Sequence, residues 1–240
     1  GAKRPTGMDY LQNVFHGFFE LHGDRRYADD PAIVGGLAWL GAVPVTVLAI
    51  EKGHTAKERI QRGFGAPQPE GYRKALRLMR QAEKFHRPVV CFVDTSGAGC
   101  NVGAEERGQG EAIAECLTTM SALQTPVLSI LIGEGGSGGA LALAAGDRVW
   151  MLENAVYSVI SPEGCATILW KDAAKAEQAA EELKLTADDA LALGVVESVI
   201  PEAGLGEPEF YDALCQRLMR EVDALSAMPV NQLLAARYAR

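Results

Sequence analysis

Short apolar runs bounded by turn-forming residues recur along the chain at 33–40, 43–50, 89–94, 127–132, 148–152, 156–160 and 195–200. Runs of this length and setting predict strands. The run at 127–132 is almost continuously apolar, as a strand buried on both faces should be. Between these runs the period changes. From Tyr72 to Phe85, apolar residues fall at Tyr72, Leu76, Met79, Ala82 and Phe85, a stripe at spacings of four and three, and Arg73, Lys74, Arg77, Arg80 and Lys84 fill much of the rest. That spacing predicts an amphipathic helix. A second helix is expected over 105–123, with a stripe at Ala112/Ile113, Cys116/Leu117, Met120 and Leu123. A third is expected over 138–146. Thr186 reads as an N-cap, with Asp188 and Asp189 in the first turn and Gly194 closing that helix. The tail over 210–240 reads as helical, interrupted at Pro229.

The order is two strands, helix, strand, helix, strand, helix, two strands, helix, strand. This is an α/β chain, and its consecutive strand pairs set it apart from a simple alternating βαβ chain. No fixed-period repeat or domain linker stands out. The Gly- and Pro-rich stretch 63–71 is expected to be a long surface loop.

Composition narrows the function classes. The chain has 240 residues, 48% hydrophobic and 22% charged, which excludes a disordered or low-complexity protein. No apolar run approaches the roughly 20 residues that span a bilayer, and the start has no signal-peptide pattern, so a cytoplasmic protein is expected. A net charge of −8 argues against a nucleic-acid binder. The charge is uneven, however. Residues 51–90 hold ten basic and four acidic residues, a balance of +6, which leaves −14 for the rest. Such a basic segment suits either an anionic ligand or acidic partner, or a solvated helix face. The five cysteines, at 91, 100, 116, 165 and 215, have no metal-binding spacing and read as reduced thiols. No metal is expected on this chain. Gly1 and Ala2 fit a cloning remnant.

The densest chemical signal is Gly133-Glu134-Gly135-Gly136-Ser137-Gly138-Gly139-Ala140, with an apolar strand leading in and an Ala/Leu-rich helix leading out. Such a turn exposes backbone N–H groups at a helix start, suited to a phosphate or to an oxyanion. A Walker A loop is excluded because no Lys lies in it. Gly133 to Gly138 does match G-x-G-x-x-G, but past mid-chain and without an opening βαβ unit. Gly135 to Gly139 matches the G-x-S-x-G nucleophile elbow. The four histidines, at 16, 22, 54 and 86, all precede Ser137, so a Ser–Asp–His order is impossible and only Lys171 or Lys175 could serve as a base. A second loop, Asp94-Thr95-Ser96-Gly97-Ala98-Gly99-Cys100-Asn101-Val102-Gly103, also leaves a buried strand and leads into a helix. Two such loops at neighbouring strand ends could each present an N–H to one oxygen. Tight turns alone would be the structural alternative.

Several longer motifs resemble the carboxyltransferase α subunits of bacterial acetyl-CoA carboxylases. They are the glycine loop, Val102-Gly103-Ala104-Glu105-Glu106-Arg107-Gly108-Gln109, Pro69-Glu70-Gly71-Tyr72-Arg73-Lys74, Tyr157-Ser158-Val159-Ile160-Ser161-Pro162-Glu163-Gly164-Cys165, and Gly23-Asp24-Arg25-Arg26-Tyr27-Ala28-Asp29-Asp30. The resemblance runs from about Lys3 to Glu202, without the helical segment that precedes it in the family, the mark of a shortened or naturally short form. It implies a crotonase-like α/β fold, a spiral of strand–strand–helix units, over 1–207, with 208–240 as a helical tail packed on the same domain or on a partner.

The implied activity is transfer of carboxylate from carboxybiotin, held on the biotin carboxyl carrier protein, to acetyl-CoA, giving malonyl-CoA for fatty acid synthesis. The implied partner is a homologous zinc-bearing β subunit in an α2β2 assembly, with no activity for this chain alone. By that resemblance Gly138 and Gly139, with Gly97 and Ala98, are the expected oxyanion donors. Gly135 and Gly136, which shape the turn, and Ser96 and Ser137 are the expected contacts to carboxybiotin or CoA, with Lys52, Arg73 and Lys74 as candidate anion contacts. Glu105, Glu106 and Arg107 are expected to cap and pair at a helix start. One loop departs from the family: Ser96 stands for Pro, Gly99 for an aromatic residue and Asn101 for Gly, which predicts a more flexible loop without an aromatic wall. A related biotin-dependent carboxyltransferase or decarboxylase subunit, a non-catalytic assembly subunit and a Ser137 peptidase are the competing readings.

Overall fold

The computed structural model describes residues 4–240, so the readings at Gly1, Ala2 and Lys3 lie outside the described residues. Strands β1 (His16–Glu20), β2 (Ile33–Leu40) and β3 (Val43–Ile50) form an antiparallel edge. The two-residue β2–β3 turn is closed by Gly41 at φ 58°, the left-handed region glycine enters without strain. β4 (Val89–Thr95), β5 (Val127–Gly136), β6 (Arg148–Leu152) and β8 (Ser198–Ile200) then add in parallel. The sheet order is β1-β2-β3-β4-β5-β6-β8, and β7 (Val156–Ser158) pairs with the far end of β5.

Helices cover both faces. Leu48 and Ala49 are adjacent on β3 and so point to opposite sides. Leu78 of α3 (Pro69–Lys84) lies with Leu48 around Gly35, whereas Gly7 of α1 (Gly7–Val14) lies against Ala49. On the α1 side, Tyr10 stacks on Phe92 of β4 at 5.0 Å. On the other side α3 buries Tyr72, Leu76, Met79 and Ala82. β4 is buried along its whole length, which explains the apolar run from Val89 to Val93, and its last two residues, Asp94 and Thr95, are buried polar groups.

Several boundaries differ from the sequence reading. Phe85 does not join the α3 stripe. It caps the helix, 55% exposed, with the Lys84 and Arg87 cations over its ring. The helix expected over 105–123 breaks at Gly108, φ 78°, into α4 (Val102–Glu106) and α5 (Gln109–Ala122). The stretch 63–71 is a short 3-10 turn followed by the start of α3, whose first position Pro69 is suited to a helix N-terminus. α1, β1 and α2 (Ala56–Gln61) were not foreseen, nor were α7 (Pro162–Trp170) and α8 (Ala176–Leu183), which share a small core of Cys165, Ala166 and Ala179. α6 spans only Ser137–Leu141. After it, α9 (Ala187–Ala192) is capped by Thr186 as expected.

The tail forms α10 (Pro208–Ser226) and α11 (Val230–Ala239), whose Leu214, Leu218, Val222, Leu225 and Leu233 enter the main core. Arg237 locks α11 down. It bonds both Asp147 oxygens at 2.8 Å and the carbonyls of Met120, Leu123 and Thr125 at 2.7–3.0 Å.

Candidate functional site

Parallel strands β4 and β5 deliver the two glycine loops side by side. Thr95 and Gly135 are ladder partners, so the first half of the Gly133–Ala140 segment continues β5 rather than forming a turn. A β-carbon on Gly136 would overlap the Ser96 carbonyl. One on Gly139 would overlap the Ala98 nitrogen and lie 2.8 Å from the Tyr72 hydroxyl and 3.0 Å from the Gly97 carbonyl carbon. The loops therefore touch through their main chains, an approach only glycine permits. Tyr72, fully buried on α3, holds the arrangement by donating to the Gly139 carbonyl at 3.0 Å.

The amides divide into used and free. Gly97 N–H is already donated to Thr95 Oγ1 at 3.0 Å, and that hydroxyl donates back to the Gly97 carbonyl at 2.8 Å. Gly97, at φ 151°, makes the turn, and the expectation that it shares the donor role is corrected on that ground. The next amide, Ala98, meets no acceptor among the described residues. Gly138 and Gly139 occupy the first turn of α6, whose amides lack intrahelical acceptors, and no side chain caps them. With five residues α6 has little macrodipole, so an anion here would be held by individual N–H groups.

The loop over 96–101 is firmly tied, contrary to its expected flexibility. Gly99 N–H donates to the Pro67 carbonyl at 2.8 Å, and the buried Gln109 amide bonds the carbonyls of Gly99 at 2.9 Å and Pro67 at 2.8 Å. Asn101 N-caps α4, accepting from Ala104 N–H at 2.9 Å. Gln68 fills the space beside Gly99 where a β-carbon would go. The substitutions thus exchange an aromatic side chain for a polar, hydrogen-bonded packing.

Lys52, two residues past the end of β3, ties the two loops together. Its ammonium lies 2.7 Å from Asp94 Oδ1 and also pairs with Glu134, while the same Asp94 oxygen accepts Glu134 N–H at 2.8 Å. Burial alone would lower the Lys52 pKa, but the Asp94 and Glu134 carboxylates outweigh it and hold the ammonium above its ordinary value. Its charge is therefore matched within the protein. This cluster, with Ser96, lines a cavity of about 790 Å³. Ser96 and Glu134 also border a hollow of about 220 Å³ that includes Gly135, Gly136 and Ser137. Ser137, Gly138, Leu141, Tyr157 and Val159 then line a largely apolar hollow of about 360 Å³.

Two candidate cations lie elsewhere. Lys74 is fully buried, with Nζ 2.6 Å from Asp29 Oδ1 and 2.8 Å from the Asp30 carbonyl, and cannot reach a substrate. Burial tends to raise the Asp29 carboxyl, but hydrogen bonds from Lys74, Gly23 and His22 overcome it and hold that group far below the usual carboxylate range. Arg73 donates to the Arg107 carbonyl at 2.5 Å on the far side of α3. As expected for a helix start, Glu105 lies in the first turn of α4 and Arg107 pairs with Glu70 at 2.6 Å.

Ser137 has φ 58°, the strained strand-to-helix elbow of a nucleophile, yet its hydroxyl makes no hydrogen bond among the described residues. Lys171 and Lys175 are exposed and line neither hollow into which Ser137 opens, so the elbow has no base. Among the described residues no three His, Cys, Asp or Glu gather to hold a metal ion. Sequence reasoning missed Tyr72, which looked like one more core position, and Asp94 and Gln109, whose partners lie 40 and 42 residues away in sequence.

A family model described as acetyl co-enzyme A carboxylase carboxyltransferase-like matches residues 1–240. The chain is 59% identical over 235 residues to the acetyl-coenzyme A carboxylase carboxyl transferase subunit alpha of Ruminiclostridium cellulolyticum, covering 98% of this chain and 90% of that one. It is 55% identical over 240 residues to a beta/alpha carboxyl transferase protein of Natranaerobius thermophilus, covering 98% of this chain but 40% of that longer one. Among solved structures, a chain of a Pseudomonas malonate decarboxylase hetero-tetramer in complex with coenzyme A superposes with a TM-score of 0.79 at 17% identity, over 97% of this chain and 92% of that one. Transcarboxylase 12S gives 0.73 at 21% identity, over 91% and 42%. At such identities the likeness concerns the fold, which is crotonase-like.

Proposed function

The chain belongs to the acetyl-coenzyme A carboxylase carboxyltransferase α-subunit family, and from that premise we propose that it supplies the carboxybiotin half of a carboxyltransferase site completed by a β subunit. The reaction is transfer of carboxylate from carboxybiotin on the biotin carboxyl carrier protein to acetyl-CoA, giving malonyl-CoA for fatty acid synthesis. One observation carries this reading: the acceptor-free Ala98 amide lies against Gly139 in the uncapped first turn of α6, beside a largely apolar hollow of about 360 Å³. That volume is within the range of small-molecule pockets, and its largely apolar lining suits a bicyclic ring whose carbonyl oxygen meets the loop N–H groups.

Carboxybiotin supplies the carboxyl group, and its ureido oxygen gathers negative charge as that group leaves. Donors aimed at developing charge stabilise the transition state over the ground state. In this reading Ala98 N–H and the Gly138 and Gly139 N–H groups are those donors. Gly97, Gly135 and Gly136 let the two loops approach, and Tyr72 positions Gly139. Lys52 holds the loops together through Asp94 and Glu134 and acts as a positioning residue. Ser137 borders the largely apolar hollow, and Ser96 borders the adjoining one of about 220 Å³. The fused beta/alpha relative supports a β partner, and an α2β2 assembly follows from the family.

The test is forward transfer. The chain is combined with its β subunit, a carrier protein bearing radiolabelled carboxybiotin, and acetyl-CoA. Label appearing in malonyl-CoA supports the reading. Co-elution of the two subunits without transfer would leave a non-catalytic assembly subunit.

A further inference from the structure

The basic segment that stood out in the sequence is only partly absorbed by the site above. Its α3 arginines, Arg73, Arg77 and Arg80, meet Arg25 and Arg26 of the β1–β2 connection around a hollow of about 210 Å³ floored by Leu76. The only carboxylate lining it is Asp24, whose Oδ1 is occupied by the N–H groups of Arg26, Tyr27 and Ala28 at 2.8–3.1 Å. Asp24 thus shapes the turn that presents the two upstream arginines. Arg26 has a carboxylate partner, Glu115, at 3.1 Å. Arg77 bonds only the carbonyls of Gly23 and His22 at 3.1 and 3.2 Å, and Arg73 the Arg107 carbonyl. Arg25 and Arg80 pair with no carboxylate among the described residues.

Two buried polar atoms at this place, Arg73 Nε and Asp24 Oδ2, have no hydrogen-bond partner among the described residues. Burial, then the neighbouring Arg25 charge, pushes the Arg77 guanidinium below its ordinary value. Five guanidiniums converge on the concavity against three nearby carboxylates, Asp24, Glu115 and Asp29, the last already paired with Lys74, so positive charge stays in excess there.

We propose that this hollow is a binding site for the phosphate or pyrophosphate group of a small molecule. Guanidinium forks match phosphate oxygens two at a time. The hollow is smaller than the roughly 300–1,000 Å³ of sites that enclose whole ligands, so it takes the anionic group and leaves the remainder outside. The site does not depend on the carboxyltransferase reading, since it lies on the outer side of α3, away from the glycine loops.

The test is calorimetric titration of the full chain with inorganic pyrophosphate. The variant R25G/R80Q removes two charges where no hydrogen bond is lost, and glycine accepts the positive φ of 64° at position 25. Arg80→Gln keeps a good helix former on α3. R220Q, on α10, controls for loss of charge elsewhere. Saturable one-to-one binding to the wild type, weakened at least tenfold in R25G/R80Q and less than twofold in R220Q, is expected. ADP binding as tightly as pyrophosphate would identify a nucleotide-type ligand, and ADP binding tenfold weaker a free inorganic anion; both support the site. Absence of saturable binding, or equal weakening in R220Q, overturns it.

Discussion

Replacing Gly139 by alanine tests whether the two loops must meet through their main chains. The added methyl would overlap the Ala98 nitrogen and press on the Tyr72 hydroxyl at 2.8 Å. Neither neighbour can yield cheaply, because one is backbone and the other is a buried ring held by its bond to Gly139. Overpacking of this kind costs about 1–3 kcal/mol, and at about 2–4 °C per kcal/mol for a chain of this size the melting temperature falls accordingly. Separating the loops also draws the Ala98 amide out of line, and losing one such donor costs ~10²–10³ in rate. Gly138→Ala is the matched control for stability, since Gly138 itself lines the hollow of about 360 Å³. Its methyl meets only Ile113 Cγ2, at 3.8 Å, an ordinary contact, and alanine in a helix gains about 0.5–1 kcal/mol over glycine. The assay is thermal unfolding of each variant together with malonyl-CoA formation by the variant paired with β. Gly139→Ala matching Gly138→Ala in both melting temperature and turnover would refute the reasoning.

Arg237→Met strands the buried Asp147 carboxylate, which lies at 2.8 Å from both its guanidinium contacts. A loss of about 3–5 kcal/mol is expected, with early hydrogen exchange in α11 as the measurement. Asp29→Asn removes the partner of the buried Lys74 ammonium. Because the Asp29 carboxyl is held low in the fold, its contribution is complete above the ordinary value of about 3.9 and disappears as pH falls through the depressed folded value. The variant is therefore less stable than wild type at pH 7, and the gap between the urea denaturation curves of the two should begin to narrow only below about pH 4 and close as pH falls through the depressed folded value. Burial pushes the Cys91 and Cys116 thiols up to about 12, so iodoacetamide at pH 7.5 (a working pH of roughly one unit below a free thiol) should label the exposed Cys100 first and leave those two unmodified until the chain unfolds.

Much of the sheet was legible in sequence because its signal is local. The runs at 33–40 and 43–50 coincide with β2 and β3, since both are mostly buried and a two-residue turn at Gly41 joins them. β1 escaped notice because it is a half-exposed edge strand, and α7 and α8 because they bury little beyond Cys165, Ala166 and Ala179. The glycine loops were legible for the same local reason, since a run of glycines after a buried strand has few other uses. Lys74 and Arg73 show where that reasoning stops. Adjacent in sequence, one is sealed by Asp29, 45 residues away, and the other turns to the Arg107 carbonyl, 34 residues away. Gly97 and Ala98 divide their roles through a single hydroxyl, Thr95 Oγ1, which no spacing rule could reveal. Asn101 and Gly99 looked like losses from a motif, and only the positions of Ala104, Gln68 and Gln109 show them as an alternative packing.

The central claim is that this chain holds the biotin half of a divided site. Its most direct test is biotin-dependent consumption of malonyl-CoA, the reverse reaction, measured on this chain, on the β subunit, and on the two together. Activity only in the combined sample is predicted; turnover by this chain alone, or by β alone at the rate of the pair, would contradict it.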